Sequence, residues 1–204
     1  MNIISKLLFL LSCFFCNGQT YTFDVMTNYK INKDAYNGDI VNFGNTKNAS
    51  YTMQLFNKNG ILTATIYDSK NEKMHHFNVA EKFKNLSNQL TFIYEYSYDY
   101  DYSFIENYHT FRIIFFKTDN DSILKMKYFK RKKDIQVYDE FTLYVNKNEK
   151  NLFPMFQFAY LHGPKFKKAE VPYNFLVKSV QIGNKIVCKL LDKQNVDLTI
   201  EVPQ

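Results

Sequence analysis

The chain has no tryptophan, three cysteines, four prolines and six glycines among 204 residues. So few glycines and prolines exclude a collagen-like repeat or a flexible linker array. Two of the cysteines, Cys13 and Cys16, fall in the first 18 residues, and the remaining Cys188 has no internal partner, so a disulfide-stapled scaffold is excluded. Arginine is nearly missing as well: Arg112 and Arg131 stand against a large excess of lysine in a net charge of +6. Bidentate reading of bases and phosphates favours the guanidinium fork, so this charge is not that of a nucleic-acid binder. No GxSxG elbow, P-loop, GxGxxG, HExxH or Cys/His ligand set occurs.

What is abundant is the aromatic ring, with 20 Phe and 16 Tyr in a chain that is 46% hydrophobic and 23% charged. Such a chain buries a real core, and rings are favoured on pleated sheet surfaces. The N-terminus places Lys6 before an apolar run from Leu7 to Cys16, followed by Asn17 and Gly18. That is the layout of a secretory signal peptide over residues 1–18, with Gln19 first in the mature chain and residues 19–204 a single β domain. The run is shorter than the roughly 20 residues a spanning helix needs. Leu10-Leu11-Ser12-Cys13 offers a second route, in which Cys13 carries a lipid at the outer membrane. Either route leads out of the cytoplasm, to the periplasm or beyond.

From Tyr21 onward, period-two alternation predicts ten or so strands and at most one or two short helices. Asn59-Gly60, Ser69 to Glu72, Thr118 to Asp121 and Gly183-Asn184 read as turns between neighbouring strands. The polar stretch Ala80 to Gln89 is the expected place for a short helix, and the pattern breaks at Phe153-Pro154 and at His162-Gly163-Pro164. Consecutive hairpins predict an all-β antiparallel meander that curls into a half-barrel, barrel or sandwich.

The densest feature is Leu90 to Tyr102, LTFIYEYSYDYDY. Ideal alternation puts Leu90, Phe92, Tyr94, Tyr96, Tyr98, Tyr100 and Tyr102 on one face, with Glu95, Asp99 and Asp101 on the other. Thirteen extended residues would reach roughly 43 Å, so the distal half is expected to project or bend. Lys125, Lys127, Lys130, Arg131, Lys132 and Lys133 form the densest basic cluster, suited to edge protection or to peripheral contact with an anionic surface. His75 and His76 are adjacent and so point to opposite faces, which excludes shared chelation without a bulge. Cys188 alternates with Ile186 and Leu190 and reads as a small buried apolar side chain.

The C-terminal order of Phe153-Pro154, Gly163-Pro164, Pro172, a hairpin at Gly183-Asn184 and terminal Val202-Pro203, in an exported chain of strands, resembles the periplasmic lipoprotein-carrier half-barrels. The chain departs from that pattern in lacking clear helices over the open side. The resemblance implies non-catalytic binding of acyl chains and transfers no residue.

Three readings follow. In the first, an exported, cofactor-free, non-enzymatic protein binds a lipid or other hydrophobic molecule in a concavity lined by Phe92, Tyr94, Phe115 and Phe141. In the second, the strip from Tyr94 to Tyr102 binds a glycan or a partner protein at the surface, and exposed rings from Tyr98 onward would mark it. In the third, scattered carboxylates form a hydrolase, which requires two acids facing across a cleft.

Overall fold

The computed structural model describes residues 18–33, 36–84, 87–100, 112–129, 135–161 and 170–203. Residues 1–18 of the expected leader, apart from Gly18, lie outside them, as do Tyr102, His109, His162 and Lys130 to Lys133.

Eleven strands form one antiparallel sheet: β1 (Gln19–Lys33), β2 (Tyr36–Gly44), β3 (Tyr51–Lys58), β4 (Ile61–Asp68), β5 (Lys73–Lys84), β6 (Ser87–Asp99), β7 (Arg112–Lys117), β8 (Ile123–Phe129), β9 (Asp139–Lys147), β10 (Phe175–Ile182) and β11 (Lys185–Val202). Their spatial order is β6-β5-β4-β3-β2-β1-β11-β10-β9-β8-β7. Every strand pairs with its neighbour in sequence except across the β6/β7 connection, and the first strand pairs with the last. The sheet is therefore a meander joined at its termini and left open between β6 and β7.

The turns follow from local chemistry. Asn59 and Gly60 adopt φ of 55° and 83°, the positive values a tight hairpin requires, and Asn57 Oδ1 accepts the Gly60 amide at 3.0 Å. Asp68 Oδ1 accepts the amides of Lys70 and Asn71, both at 3.0 Å, and so shapes the β4–β5 turn. The stretch expected to be helical, Ala80 to Gln89, instead carries the ends of β5 and β6. Cross-strand pairing from Lys73 to Lys84 overrides its polar, helix-permitting composition.

A helix forms where the alternation breaks. α1 (Phe153–Tyr160) has proline in its first turn, and every residue but Pro154 is buried. Its apolar residues run all round the axis, so no amphipathic stripe announces it. Among the described residues no helix is long and apolar enough to cross a membrane.

Two cores occupy opposite faces of the sheet. Directly paired residues share a face. In β2, Ile40 pairs with Tyr29 and belongs to the core built with β8 to β11 and α1, whereas Phe43 pairs with Met26 and belongs to the core over β3 to β6. Tyr21 and Phe23 nevertheless join the second core while Val25 packs on α1. β1 therefore turns over at Asp24, where two residues of β11 oppose one of β1 in a bulge. Asp24 is held there by the Thr46 amide at 2.8 Å, by the Thr46 hydroxyl, and by Lys150 at 3.5 Å. Burial raises its carboxyl pKa, but those partners together draw it below its ordinary value.

Cys188 is buried in the first core, as its sequence context implied. Ile186 does not share its face, because Val187 is an extra residue of β11 opposite the Val180–Gln181 step and Ile186 is turned outward.

Phe175 is buried against the rings of Phe115, Phe153 and Tyr173. Phe175→Ala is expected to lower unfolding free energy by about 3–5 kcal/mol through cavity formation. Ile135→Ala, at an exposed position, should stay within about 0.5 kcal/mol. Urea denaturation of both variants checks the contrast.

Candidate functional site

The tyrosine row does not stay on one face. Between β5 and β6, Phe77 pairs with Tyr94 but His76 pairs with Tyr96, so Glu95 is an extra residue and a bulge. Leu90, Phe92 and Tyr94 point into the core over β3 to β6. Tyr96 and Tyr98 emerge on the opposite face, 52% and 42% exposed. The bulge thus separates rings that build the fold from rings that face outward.

The outward rings form a platform. His76 lies 4.8 Å from Tyr96 and 5.4 Å from Tyr98, at interplanar angles of 27° and 14°. The tyrosine centroids are 6.5 Å apart, too close for a three-ring column centred on His76, so the three rings form an offset face-to-face stack. Asn78 Nδ2 donates to Glu95 Oε1 beside it, giving the patch an exposed amide–carboxylate border. Tyr98 OH contacts Met74 Sδ at 3.2 Å, and burial with the nearby Tyr98 and Tyr100 phenols pushes Tyr67 up to about 12.

The platform ends a polar row that sequence alternation does not reveal. Thr27 pairs with Asn42, Asn42 with Gln54, Gln54 with Thr65, Thr65 with His76, and His76 with Tyr96. Six adjacent strands therefore contribute one residue each to a line across a single face. Four of the six, Thr27, Asn42, Gln54 and Thr65, are buried.

α1 lies over this line. A Cβ on Gly44 would run into Met155 Sδ, Phe156 meets the Tyr29 ring at 6.2 Å, and Phe158 meets Tyr67 at 5.0 Å. Gly44, Tyr29 and Tyr67 sit two residues along their strands from Asn42, Thr27 and Thr65, on the same face. Thr65 Oγ1 and His76 Nδ1 pair at 3.1 Å. Thr27 Oγ1, both polar side-chain atoms of Asn42, and His76 Nε2 are buried without a hydrogen-bond partner, as is Asn28 Oδ1 on the opposite face.

On the other face a buried relay ties the N-terminal strand down. Tyr21 OH donates to Asp68 Oδ2 at 2.8 Å and lies 2.7 Å from His75 Nε2. His75 Nδ1 is 2.5 Å from Ser97 Oγ, which is 2.9 Å from Tyr94 OH. With Tyr21 donating to Asp68, its hydroxyl oxygen is free to accept from His75 Nε2, and Nδ1 pairs with Ser97 Oγ, so both ring nitrogens of His75 are engaged. His75 is buried, so the relay locks β1 onto β4, β5 and β6.

The remaining expected residues are placed as follows. Phe115 and Phe141 lie in the core beneath α1, in contact with Phe153 and Tyr160, while Phe92 and Tyr94 lie in the other core. These four rings therefore do not line one concavity. Tyr100 is half-buried, its amide donating to Glu72 O at 2.7 Å. Lys125 donates to Thr142 at 2.9 Å, and Lys127 pairs with Glu140 at 3.6 Å and lies over the Phe116 ring. Asp99 pairs in register with Lys73, and Asp101 lies outside the described residues.

No family model matches the chain, and neither a curated protein nor a solved structure matches it significantly.

Burial is the main cause lowering the pKa of both His75 and His76, against smaller upward pulls from Asp68 and Glu95 respectively. The unfolded chain then binds more protons than the folded one below about pH 6.5. Stability should hold above that pH and fall as pH drops through it toward the lowered folded values. Urea midpoints between pH 8 and pH 5 check this, and His75→Gln should flatten the fall.

Proposed function

We propose that this is an exported binding protein that recognises carbohydrate through the Tyr96–His76–Tyr98 platform. The observation that carries this reading is the bulge at Glu95, which lifts two tyrosines out of the core and sets them nearly parallel beside His76. The exposed outer surfaces of this ring stack offer area and little side-chain entropy to lose, and suit the apolar face of a sugar ring. The exposed Asn78–Glu95 pair beside it supplies both donor and acceptor for ring hydroxyls. The surface reading therefore stands ahead of the hydrophobic-ligand reading, because the rings nominated for that ligand are split between two packed cores.

Affinity electrophoresis and calorimetry against a panel of soluble polysaccharides test the proposal. Tyr96→Ala and Tyr98→Ala are each expected to weaken binding by about 0.5–1.5 kcal/mol, while far-UV circular dichroism stays unchanged. Absence of binding across the panel, or retention of affinity in the double variant, overturns it.

A further inference from the structure

We infer that the polar row from Tyr96 to Thr27 is an extended track for a linear oligosaccharide, whose outer ring rests on the platform. The inference rests on the carbohydrate reading and enlarges it from one ring to a chain. Its evidence is separate: a line of hydrogen-bonding side chains in register across six strands, most of them sealed under an apolar helix.

A buried polar group left without a partner costs about 1–3 kcal/mol. Among the described residues four of the five such atoms, on Thr27, Asn42 and His76, lie on one line of one face, and the fifth, Asn28 Oδ1, lies on the opposite face. Apolar residues of similar size would remove the penalty without disturbing the strand ladder, so the polar side chains fit a ligand better than they fit α1. Asn42 offers both a donor and an acceptor, Thr27 a hydroxyl, and His76 a ring nitrogen.

The helix above has the character of a removable cover. Its start is tied by Asn151 Oδ1, which accepts the Phe153 amide at 3.0 Å, and by the Leu152 amide on Phe175 O. No charged residue in its first or last turn adds an ion pair, so packing holds the rest of α1. The row spans five strand spacings, roughly 24 Å from the exposed Tyr96 to Thr27, and its four residues from Thr65 to Thr27 are the buried ones. A sugar chain in this slot would turn hydroxyl edges to Asn42, Gln54 and Thr65 and C–H faces to the rings of α1. Entry requires Phe158 to leave Tyr67.

A size series of β-linked gluco- and manno-oligosaccharides, from one to six rings, tests the track by calorimetry on the mature protein. Affinity is expected to climb with ring number up to about five, in step with the strand count. Asn42→Leu should lower six-ring affinity at least tenfold, leave two-ring affinity unchanged, and raise the melting temperature of the free protein. Thr27→Val provides the same comparison should Asn42→Leu fail to fold. Six rings binding no tighter than two, or a variant that keeps full six-ring affinity, overturns the track and leaves the platform standing. If no member of the series binds, the carbohydrate reading falls with it.

Discussion

The ladder between β1 and β11 is the constraint on which the rest of the molecule depends. It joins the ends of the meander, and its bulge at Asp24 lets one strand serve cores on two faces. Without that overturn, Tyr21 and Phe23 would sit on the α1 side, and the Asp68–Tyr21–His75–Ser97 relay could not form. The bulge is itself anchored by Thr46 and Lys150, so a short polar tie sets the path of the longest pairing in the sheet.

A second bulge, at Glu95, does comparable work on a smaller scale. It converts a uniform run of tyrosines into two classes, one packed inward and one presented outward. A bulge shifts the side-chain parity of everything after it, so one extra residue re-aims Tyr96 and Tyr98 together. It also brings His76 into line with Tyr96, which makes the platform continuous with the polar row. The surface patch and the buried row are thus consequences of one register.

The energetic signature of the site is its unmet polarity. Cores normally satisfy their buried donors and acceptors, and a conflict between local chemistry and packing is expected mainly where function requires it. Here most of the unpartnered atoms, on Thr27, Asn42 and His76, are gathered on the α1 face of the β1–β5 strands, with Asn28 Oδ1 the exception on the other face. Elsewhere in the described sheet, buried polar residues such as Asp68 and His75 are fully engaged.

The sequence by itself determined the class of the fold and most of its turns. Alternation of apolar and polar residues marks strands wherever one face is buried, and Asn59-Gly60 and Gly183-Asn184 mark reversals through backbone freedom. The opposite aims of His75 and His76 followed from strand geometry alone. α1 escaped because its residues are apolar on all sides, and the strands at Ala80 to Gln89 escaped because their pairing is non-local. Asn42, lying between Val41 and Phe43, reads in sequence as an ordinary solvated position. Only the tertiary structure decided that it is sealed under α1 and aligned with Thr27, Gln54, Thr65 and His76. Register and bulges, which are properties of strand pairs, set those relations, and a single strand's sequence does not encode its neighbour's offset.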